Sequence, residues 1–287
     1  MNKIKLCKNK NTGEVIYKDY DKLTDINDNM LIMGDNKDSF IVNFIKELIK
    51  NNSSLYIEDK NFSIYKNIKN ILEDNSYEVQ IINFTNKTSI AGQSIEEFLE
   101  TKEGKEVLNF CNTRYIFGKD ANLSRRDELN ELDELKDFNL EIKDKPKVIY
   151  IINYSDSTDK KLVSYIRNLL IKMLFKIADT KDMGLENNMQ MILDLNIPSD
   201  KLGKYIRVDK SRNVAFTLYF EKTELLNFED YELAEITSNC NIIIGLNKEW
   251  YNDKIINLIL RESNGDIKDK RKLLAIRGMF PIEIEEL

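Results

Sequence analysis

Apolar residues in this chain fall into short unbroken runs that alternate with amphipathic stretches of helical period. The runs are Met30-Leu31-Ile32-Met33, Leu55-Tyr56-Ile57, Val79-Gln80-Ile81-Ile82, Val148-Ile149-Tyr150-Ile151-Ile152, Met189-Gln190-Met191-Ile192-Leu193, residues 214–218 and Asn241-Ile242-Ile243-Ile244. They lack strict alternation, which predicts strands covered on both faces in a mostly parallel sheet. Between the runs, Phe40, Ile41, Phe44, Ile45 and Leu48 share one helical face, and Ile64, Ile68, Ile71 and Leu72 share another over residues 62–72. A longer stripe of Leu162, Ile166, Leu169, Leu170, Met173, Leu174 and Ile177 predicts a helix that follows Ser155-Asp156-Ser157-Thr158 and ends near Thr180. Strand and helix alternating at this spacing form a βαβ series with right-handed crossovers. Residues 3–6 and 14–17 predict two further strands about a turn at Asn11-Thr12-Gly13, and residues 272–276 predict the last inner strand, closed by Gly278 and Pro281.

Residues 85–145 are less regular. Ser94-Ile95-Glu96-Glu97 forms a capping box, and residues 124–135 carry Leu129, Leu132 and Leu135 among many acids. This stretch reads as a helical insertion packed on the sheet. With no repeat and no Pro/Gly-rich linker, residues 1–287 are expected to form a single domain.

The unit that organises the rest is the strand at Met30, the turn at Gly34 and the helix that follows. Phosphate-binding proteins use this layout because a helix N-terminus offers unpaired N–H groups and a positive dipole end. A working P-loop needs G-x-x-x-x-G-K-[ST], which supplies a wrapping loop, a Lys for the phosphate oxygens and a hydroxyl for Mg²⁺. Gly34 is the only glycine here, Lys37 follows it too soon for the loop to close, and no Gly-Lys-Ser/Thr appears. Lys37 and Ser39 could grip an anion; the blander reading is a solvated turn with Ser39 or Asp38 as helix N-cap.

Composition narrows the chemistry. The 287 residues contain no His, which excludes Cys/His zinc sites and Ser-His-Asp or Cys-His machinery. Cys7, Cys111 and Cys240 are isolated and read as small buried side chains. The net charge of −6 gives no help to binding a phosphate backbone. The densest basic cluster, residues 268–272, is broken by Asp269 and has no interleaved aromatics, so it reads as a solvated face. Neither a signal-peptide core nor an apolar run of the roughly 18–20 residues needed to cross a bilayer is visible. A soluble, cytoplasmic protein is expected.

Several short motifs occur in the order found in the coupling ATPases of conjugative type IV secretion, the TraG/TraD-like (VirD-type) proteins of the P-loop superfamily. Residues 30–40 stand where that family has its P-loop. Glu58-Asp59-Lys60-Asn61-Phe62 resembles its D-P-K-G-E, and Ser76-Tyr77-Glu78-Val79-Gln80-Ile81-Ile82-Asn83-Phe84 resembles its G-Y-x-V-x-V-x-N. Lys145-Pro146-Lys147, leading through a strand to Ser155-Asp156-Ser157-Thr158, is very like the family's sequence there. Ser211-Arg212-Asn213-Val214 resembles S-R-G-I, Ser238-Asn239-Cys240-Asn241 resembles G-N-C-D, and Ile276-Arg277-Gly278-Met279-Phe280-Pro281-Ile282 resembles R-G-x-x-P-I. The resemblance implies an α/β, RecA-like P-loop fold: a mostly parallel twisted sheet with helices on both faces. Residues 85–145 would be the reduced counterpart of the family's all-α domain.

The departures from the family fall on its chemistry. The Walker A Lys and Thr have no counterpart. The Walker B Asp-Glu pair matches Asp194-Leu195, so the Glu is absent. The sensor Gln falls on Glu221, where a carboxylate would repel a γ-phosphate. One missing cation in phosphoryl transfer can cost about 10³–10⁵ in rate. What the resemblance leaves is a vestigial nucleotide site of Gly34, Lys37, Ser39, Asp194, Glu221 and Arg212, with no catalytic residue and no metal ligand assigned. Asp194 could hold a metal or simply cap the loop after its strand. Arg212 could reach across a subunit interface or be a surface Arg beside a strand. The expectation is a degenerate coupling-protein homologue without ATPase activity or cofactor, a scaffold or adaptor in a conjugation or mobile-element system. Its partners would be other proteins, either conjugation machinery or further copies of itself, with DNA left open. The acidic residues 127–137 are the candidate docking face. The alternatives are a non-hydrolysing binder of ATP and Mg²⁺, and a DNA-translocating ATPase with unconventional residues. The family's membrane helices have no counterpart here.

Overall fold

The computed structural model describes residues 2–20, 29–34, 37–83, 146–156, 160–181, 185, 187–197, 199, 202–221, 230–246, 272–276 and 282–285. Eleven strands form one sheet: β1 (Asn2–Asn9), β2 (Val15–Tyr20), β3 (Met30–Met33), β4 (Ser54–Lys60), β5 (Glu78–Asn83), β6 (Val148–Tyr154), β7 (Met189–Asp194), β8 (Val214–Phe220), β9 (Ile242–Gly245), β10 (Leu273–Ile276) and β11 (Ile282–Glu285). Their order is β2-β1-β11-β10-β9-β3-β8-β7-β4-β6-β5. From β9 to β5 every neighbouring pair is parallel. All seven apolar runs of the sequence lie in that block.

The flank was less legible. Residues 272–276 do supply an inner strand, but β10 runs antiparallel to β9 and is followed by β11, which the sequence pattern did not mark. The β1–β2 hairpin then extends the sheet antiparallel to β11. Its turn is where the sequence places it: Asn9 Oδ1 accepts the Asn11 N–H at 2.9 Å, and Gly13 has a φ of 71°.

Two sets of helices cover the sheet. From β3 the chain steps outward to β4 and β5 through α1 (Lys37–Lys50) and α2 (Tyr65–Asp74). From β6 it steps back through β7 and β8 to β9, using α3 (Lys160–Asp179), α4 (Leu202–Val208) and α5 (Asp230–Ser238). Right-handed crossovers made in opposite directions must lie on opposite faces. The buried side chains divide accordingly: Met30, Ile32, Leu55 and Ile57 pack with α1 and α2, while Leu31, Met33, Tyr56, Met191 and Leu193 pack with α3 and α4. This strand period of two explains why both registers of each run are apolar. Helix α1 buries the five residues of its predicted face together with Val42 and Ile49. Each such large side chain contributes about 1.5–3 kcal/mol when fully buried.

Local conformation accounts for the shifted helix ends. Helix α1 begins at Lys37, so Ser39 and Asp38 lie inside its first turn and neither is the N-cap expected from sequence. Helix α2 starts at Tyr65 rather than residue 62 because Asn61 and Phe62 are both left-handed, with φ of 57° and 56°. It ends in a Schellman arrangement: Ser76 N–H donates to Glu73 O at 3.0 Å, Tyr77 N–H to Leu72 O at 3.0 Å, and Ser76 has a φ of 57°. Asn61, Ser76 and Asn213 stand where the resembled family carries glycine in its D-P-K-G-E, G-Y and S-R-G-I motifs. All three have a φ of 57°, the region glycine occupies without steric cost.

In α3, Leu170 and Leu174 are buried and Ile177 packs against the core. The predicted helices within residues 85–145, the acidic docking face, Cys111 and residues 268–271 lie outside the described residues. Among the described residues no helix is long and apolar enough to cross a membrane.

Candidate functional site

In an open parallel sheet, ligands bind beyond the carboxyl ends of the strands. Here those ends are Gly34 after β3, Glu58 to Lys60 on β4, Tyr154 on β6, Asp194 on β7 and Glu221 after β8. Gly34 has a φ of 118°, and its N–H donates to Phe220 O at 3.1 Å, fastening the turn to the neighbouring strand.

Lys37, the first residue of α1, does not extend into solvent. Its Nζ lies 2.8 Å from Glu221 Oε1 and 5.8 Å from the centre of the Tyr219 ring, and its side chain is only 12% exposed. Tyr219 lies near the end of β8 and Glu221 just beyond it. Ring and carboxylate together seat the ammonium, with the Asp38 carboxylate a second, longer-range partner at 3.6 Å. This differs from the solvated turn expected from sequence. Ser39 is on the exposed side of the same helix turn.

Asp194 is 4% exposed and its carboxylate is engaged on both oxygens. Oδ2 accepts the Tyr154 hydroxyl at 2.5 Å, and Oδ1 accepts the backbone N–H and side-chain amide of Asn196 at 2.8 and 2.9 Å. The loop-capping reading of Asp194 is therefore the one the geometry displays. Burial pushes the Tyr154 phenol well above its usual range, and the Asp194 charge adds to the shift.

Beside it lies an ion pair that sequence reasoning missed. Glu58, at the end of β4, and Arg167, midway along α3, are both fully buried. Arg167 Nε donates to Glu58 Oε1 at 2.6 Å, and Nη2 donates to Glu58 Oε2, making the contact bidentate. Two further guanidinium donors reach Ile197 O at 3.0 Å and Asp194 O at 2.8 Å. Glu58 Oε2 also accepts the Asp194 N–H at 2.9 Å, and Tyr219 donates its hydroxyl to Glu58 O at 2.7 Å. Burial raises the Glu58 carboxyl, while the Arg167 charge and hydrogen bonds work against that rise. A carboxylate next to Asp194 would ordinarily suggest a general base, but a base must be within reach of the proton it takes. Glu58 has no exposure, and both its oxygens are held.

Two further groups complete the edge. Asp59 points to the other face and closes the start of α2. It accepts the N–H of Ile64 at 3.0 Å, the N–H of Tyr65 at 2.7 Å and the Ser63 hydroxyl at 3.2 Å. Its carboxyl is raised by burial, which those N–H bonds oppose. Lys60 lies 2.6 Å from Asp156, and that contact raises its ammonium, with Glu221 and Asp194 contributing from further away.

Four of the six sequence-predicted site residues, Gly34, Lys37, Asp194 and Glu221, therefore lie along one edge, with Ser39 a turn away. Arg212 does not join them. It precedes β8 at the opposite end of the sheet, about 20 Å off at roughly 3.3 Å per strand residue. There it pairs with Asp179 at 2.8 Å and lies 4.7 Å from the Phe175 ring centre. It is thus engaged within the chain. The signal that could have marked Arg167 is its place in an apolar helical stripe with Val163, Leu170 and Leu174, facing a strand that ends in two acids.

No family model matches the chain, and no curated protein matches it in sequence. Solved structures do match its fold. VirB4 of Thermoanaerobacter pseudethanolicus superposes with a TM-score of 0.52 at 11% identity, over 99% of this chain and 96% of that one. The bacterial conjugative coupling protein TrwB, unbound, gives 0.52 at 10% identity over 90% and 84% of the two chains. The chain has the P-loop ATPase fold. TrwB in complex with ADP and Mg²⁺ gives 0.50 at 9% identity, over 90% of this chain and 85% of that one. At such identities the shared property is the fold, which agrees with the architecture that the TraG/TraD-like resemblance implied. Within the P-loop fold, β3 and α1 flank the glycine turn, Glu221 follows the adjacent strand β8, and Asp194 ends β7, the next strand along.

Proposed function

We propose that this chain is a conjugation-type P-loop protein that does not hydrolyse ATP and serves as a scaffold or adaptor in a conjugation or mobile-element machine. One observation carries the reading: the groups at the strand ends that would act on Mg²⁺ and phosphate are already bound to each other. Lys37 is held by Glu221, both oxygens of Asp194 are taken, and Glu58 is locked to Arg167. Phosphoryl transfer depends on positioning and on stabilising charge. A ligand metal or phosphate would have to break these contacts before meeting any of the groups. The residues present, held in these contacts, do not fit Mg²⁺–ATP. Both faces of the sheet keep a continuous apolar core. A chain that keeps its core and satisfies its site internally is left with its surfaces for function. The names of its structural neighbours, conjugative and plasmid coupling proteins, supply the setting.

The expected result is phosphate release from Mg²⁺–ATP at background, with and without single-stranded DNA. Turnover that Asp194→Ala abolishes would overturn the reading. A second reading, a nucleotide binder that does not hydrolyse, is favoured by the structure of TrwB with ADP and Mg²⁺. Under it, ATP or ADP raises the melting temperature by mass action; under the first, neither does.

A further inference from the structure

The two outermost strands of the sheet are finished differently. An outermost strand leaves a row of N–H and C=O groups that another strand can pair with, and proteins guard such edges with bulges, lysines, prolines or inward-pointing charges. At β2 two of these devices are present. The β1–β2 ladder is bulged between Lys5 and Cys7. Lys18, in the middle of β2, points inward: it is 2% exposed, with its Nζ 5.8 Å from the centre of the Phe44 ring. Strand β5 has neither. It pairs with β6 in unbroken register, from Glu78 opposite Val148 to Asn83 opposite Asn153. Among the described residues no strand lies beyond it. Its sequence, Glu78-Val79-Gln80-Ile81-Ile82-Asn83, holds no Pro, Gly or Lys and only one charge. Ile81 is 40% exposed, one of two large apolar side chains exposed among the described residues. A β-branched, nearly uncharged and unguarded edge is built to pair.

We propose that β5 is an interface for a second copy of this chain, the two β5 strands pairing antiparallel about a two-fold axis so that the sheets join edge to edge. The pattern of the strand selects this occupant. An axis perpendicular to the sheet keeps each face on its own side, so residues directly opposite are both odd-numbered or both even-numbered. Pairing centred on Gln80 sets Ile81 of each copy against Val79 of the other, and Val79 is half-buried against the core. Gln80, which donates one amide N–H to Glu78 Oε1 at 3.1 Å, meets its own counterpart, and an amide offers both donors and an acceptor. Glu78 falls opposite position 82. The two Glu78 residues are then four strand positions apart, about 13 Å, beyond the Debye length at physiological salt. No like charges face each other across the ladder. A two-fold contact closes at two copies. Six paired residues are few beside the roughly 20–30 per side of a standard interface, so the dimer is weak, with a Kd on the order of 10 µM. The inference goes beyond the adaptor reading and does not depend on how the chain handles ATP.

The test is sedimentation velocity of the full chain at loads from about 2 to 200 µM, either side of that Kd. It compares the natural protein with Ile81→Lys and with Gln80→Lys, which places two lysines opposite each other at the axis. Far-UV circular dichroism checks each fold, and two separate positions guard against one variant failing to fold. The natural protein should pass from one 33.7 kDa chain to twice that mass, and both variants should remain monomeric throughout. A second measurement reads the register. In a Cys111→Ser background, mild oxidation should cross-link Gln80→Cys to itself, and Glu73→Cys, exposed on α2, should not cross-link. A natural protein that stays monomeric at every load overturns the proposal, because another segment or partner then takes the edge. A dimer that survives both lysine variants also overturns it, as do assembly beyond two copies and equal cross-linking at positions 73 and 80. Phosphate release from ATP tests the functional reading separately, and neither result bears on the other.

Discussion

The Glu58–Arg167 pair offers the sharpest test of how the strand-end edge is built. Arg167→Met keeps the apolar stem of the side chain and removes its charge and five donors. Glu58 would then be a fully buried carboxylate without its bidentate partner, and breaking a buried pair in this way costs about 3–5 kcal/mol. The carbonyls of Asp194 and Ile197 would also lose their guanidinium donors. Since these losses overlap, a total of about 4–5 kcal/mol is expected, a large part of a typical stability of about 5–15 kcal/mol. In urea, with a slope of about 2–3 kcal/mol/M, the midpoint falls by about 2 M. The pH dependence has a definite sign. Arg167 is the main influence holding Glu58 down against burial, so its removal raises the folded-state carboxyl further above its unfolded value. A carboxyl raised on folding contributes stability that is present at low pH and lost as pH rises through its folded value. The deficit of the variant should therefore shrink on moving from pH 8 toward pH 5. Glu58→Gln/Arg167→Met, which removes both charges, should recover much of the loss. Urea unfolding followed by circular dichroism at the two pH values is the assay. A single-variant cost under about 1 kcal/mol, or a double variant as unstable as the sum of both single changes, would show that the pair is not the buried unit described.

Ser76→Gly should stabilise the chain by up to about 1 kcal/mol, because Ser76 closes α2 in the left-handed region where glycine carries no Cβ penalty; a lower melting temperature would contradict that. In a Cys111→Ser background, Cys7 and Cys240 should resist Ellman's reagent at pH 8 in the native protein and react fully once it is denatured. Both thiols are buried, with Cys7 pushed up to about 12 and Cys240 raised as well, so rapid native labelling would refute their burial.

What the sequence revealed and what it hid follow the range of the interactions involved. Strand identity is local: the seven apolar runs mark the seven strands of the parallel block, though cover on both faces, which the runs also predict, fails at the edge strand β5, where Ile81 is exposed because no strand lies beyond it among the described residues. Pairing direction and partner are not local. Nothing within residues 272–276 says that they meet β9 antiparallel, nor does β1 show that it joins β11 from the far end of the chain. The start of α2 was misplaced because two consecutive left-handed residues, Asn61 and Phe62, carry no glycine to announce them. At the site, Gly34, Lys37, Asp194 and Glu221 were legible through their motif positions. The Glu58–Arg167 pair was not, because its partners are 109 residues apart and an arginine within a helical stripe reads as a surface residue until a buried acid is found opposite.

At both ends of the sheet the buried polar groups are met by groups of the chain itself. At the amino-terminal end of β3, Asn29 is fully buried. It accepts the Phe216 N–H at 2.7 Å and donates to Ile206 O at 3.2 Å, joining β8 to α4. At the carboxyl end, burying Glu58, Asp59 and Asp194 would each impose a cost if left unpaired. A P-loop protein that relied on a bound ion to meet that cost would be least stable when empty. In this chain Arg167 meets Glu58, the α2 amides meet Asp59, and Tyr154 with Asn196 meets Asp194, so each carboxylate is balanced by donors the chain itself supplies.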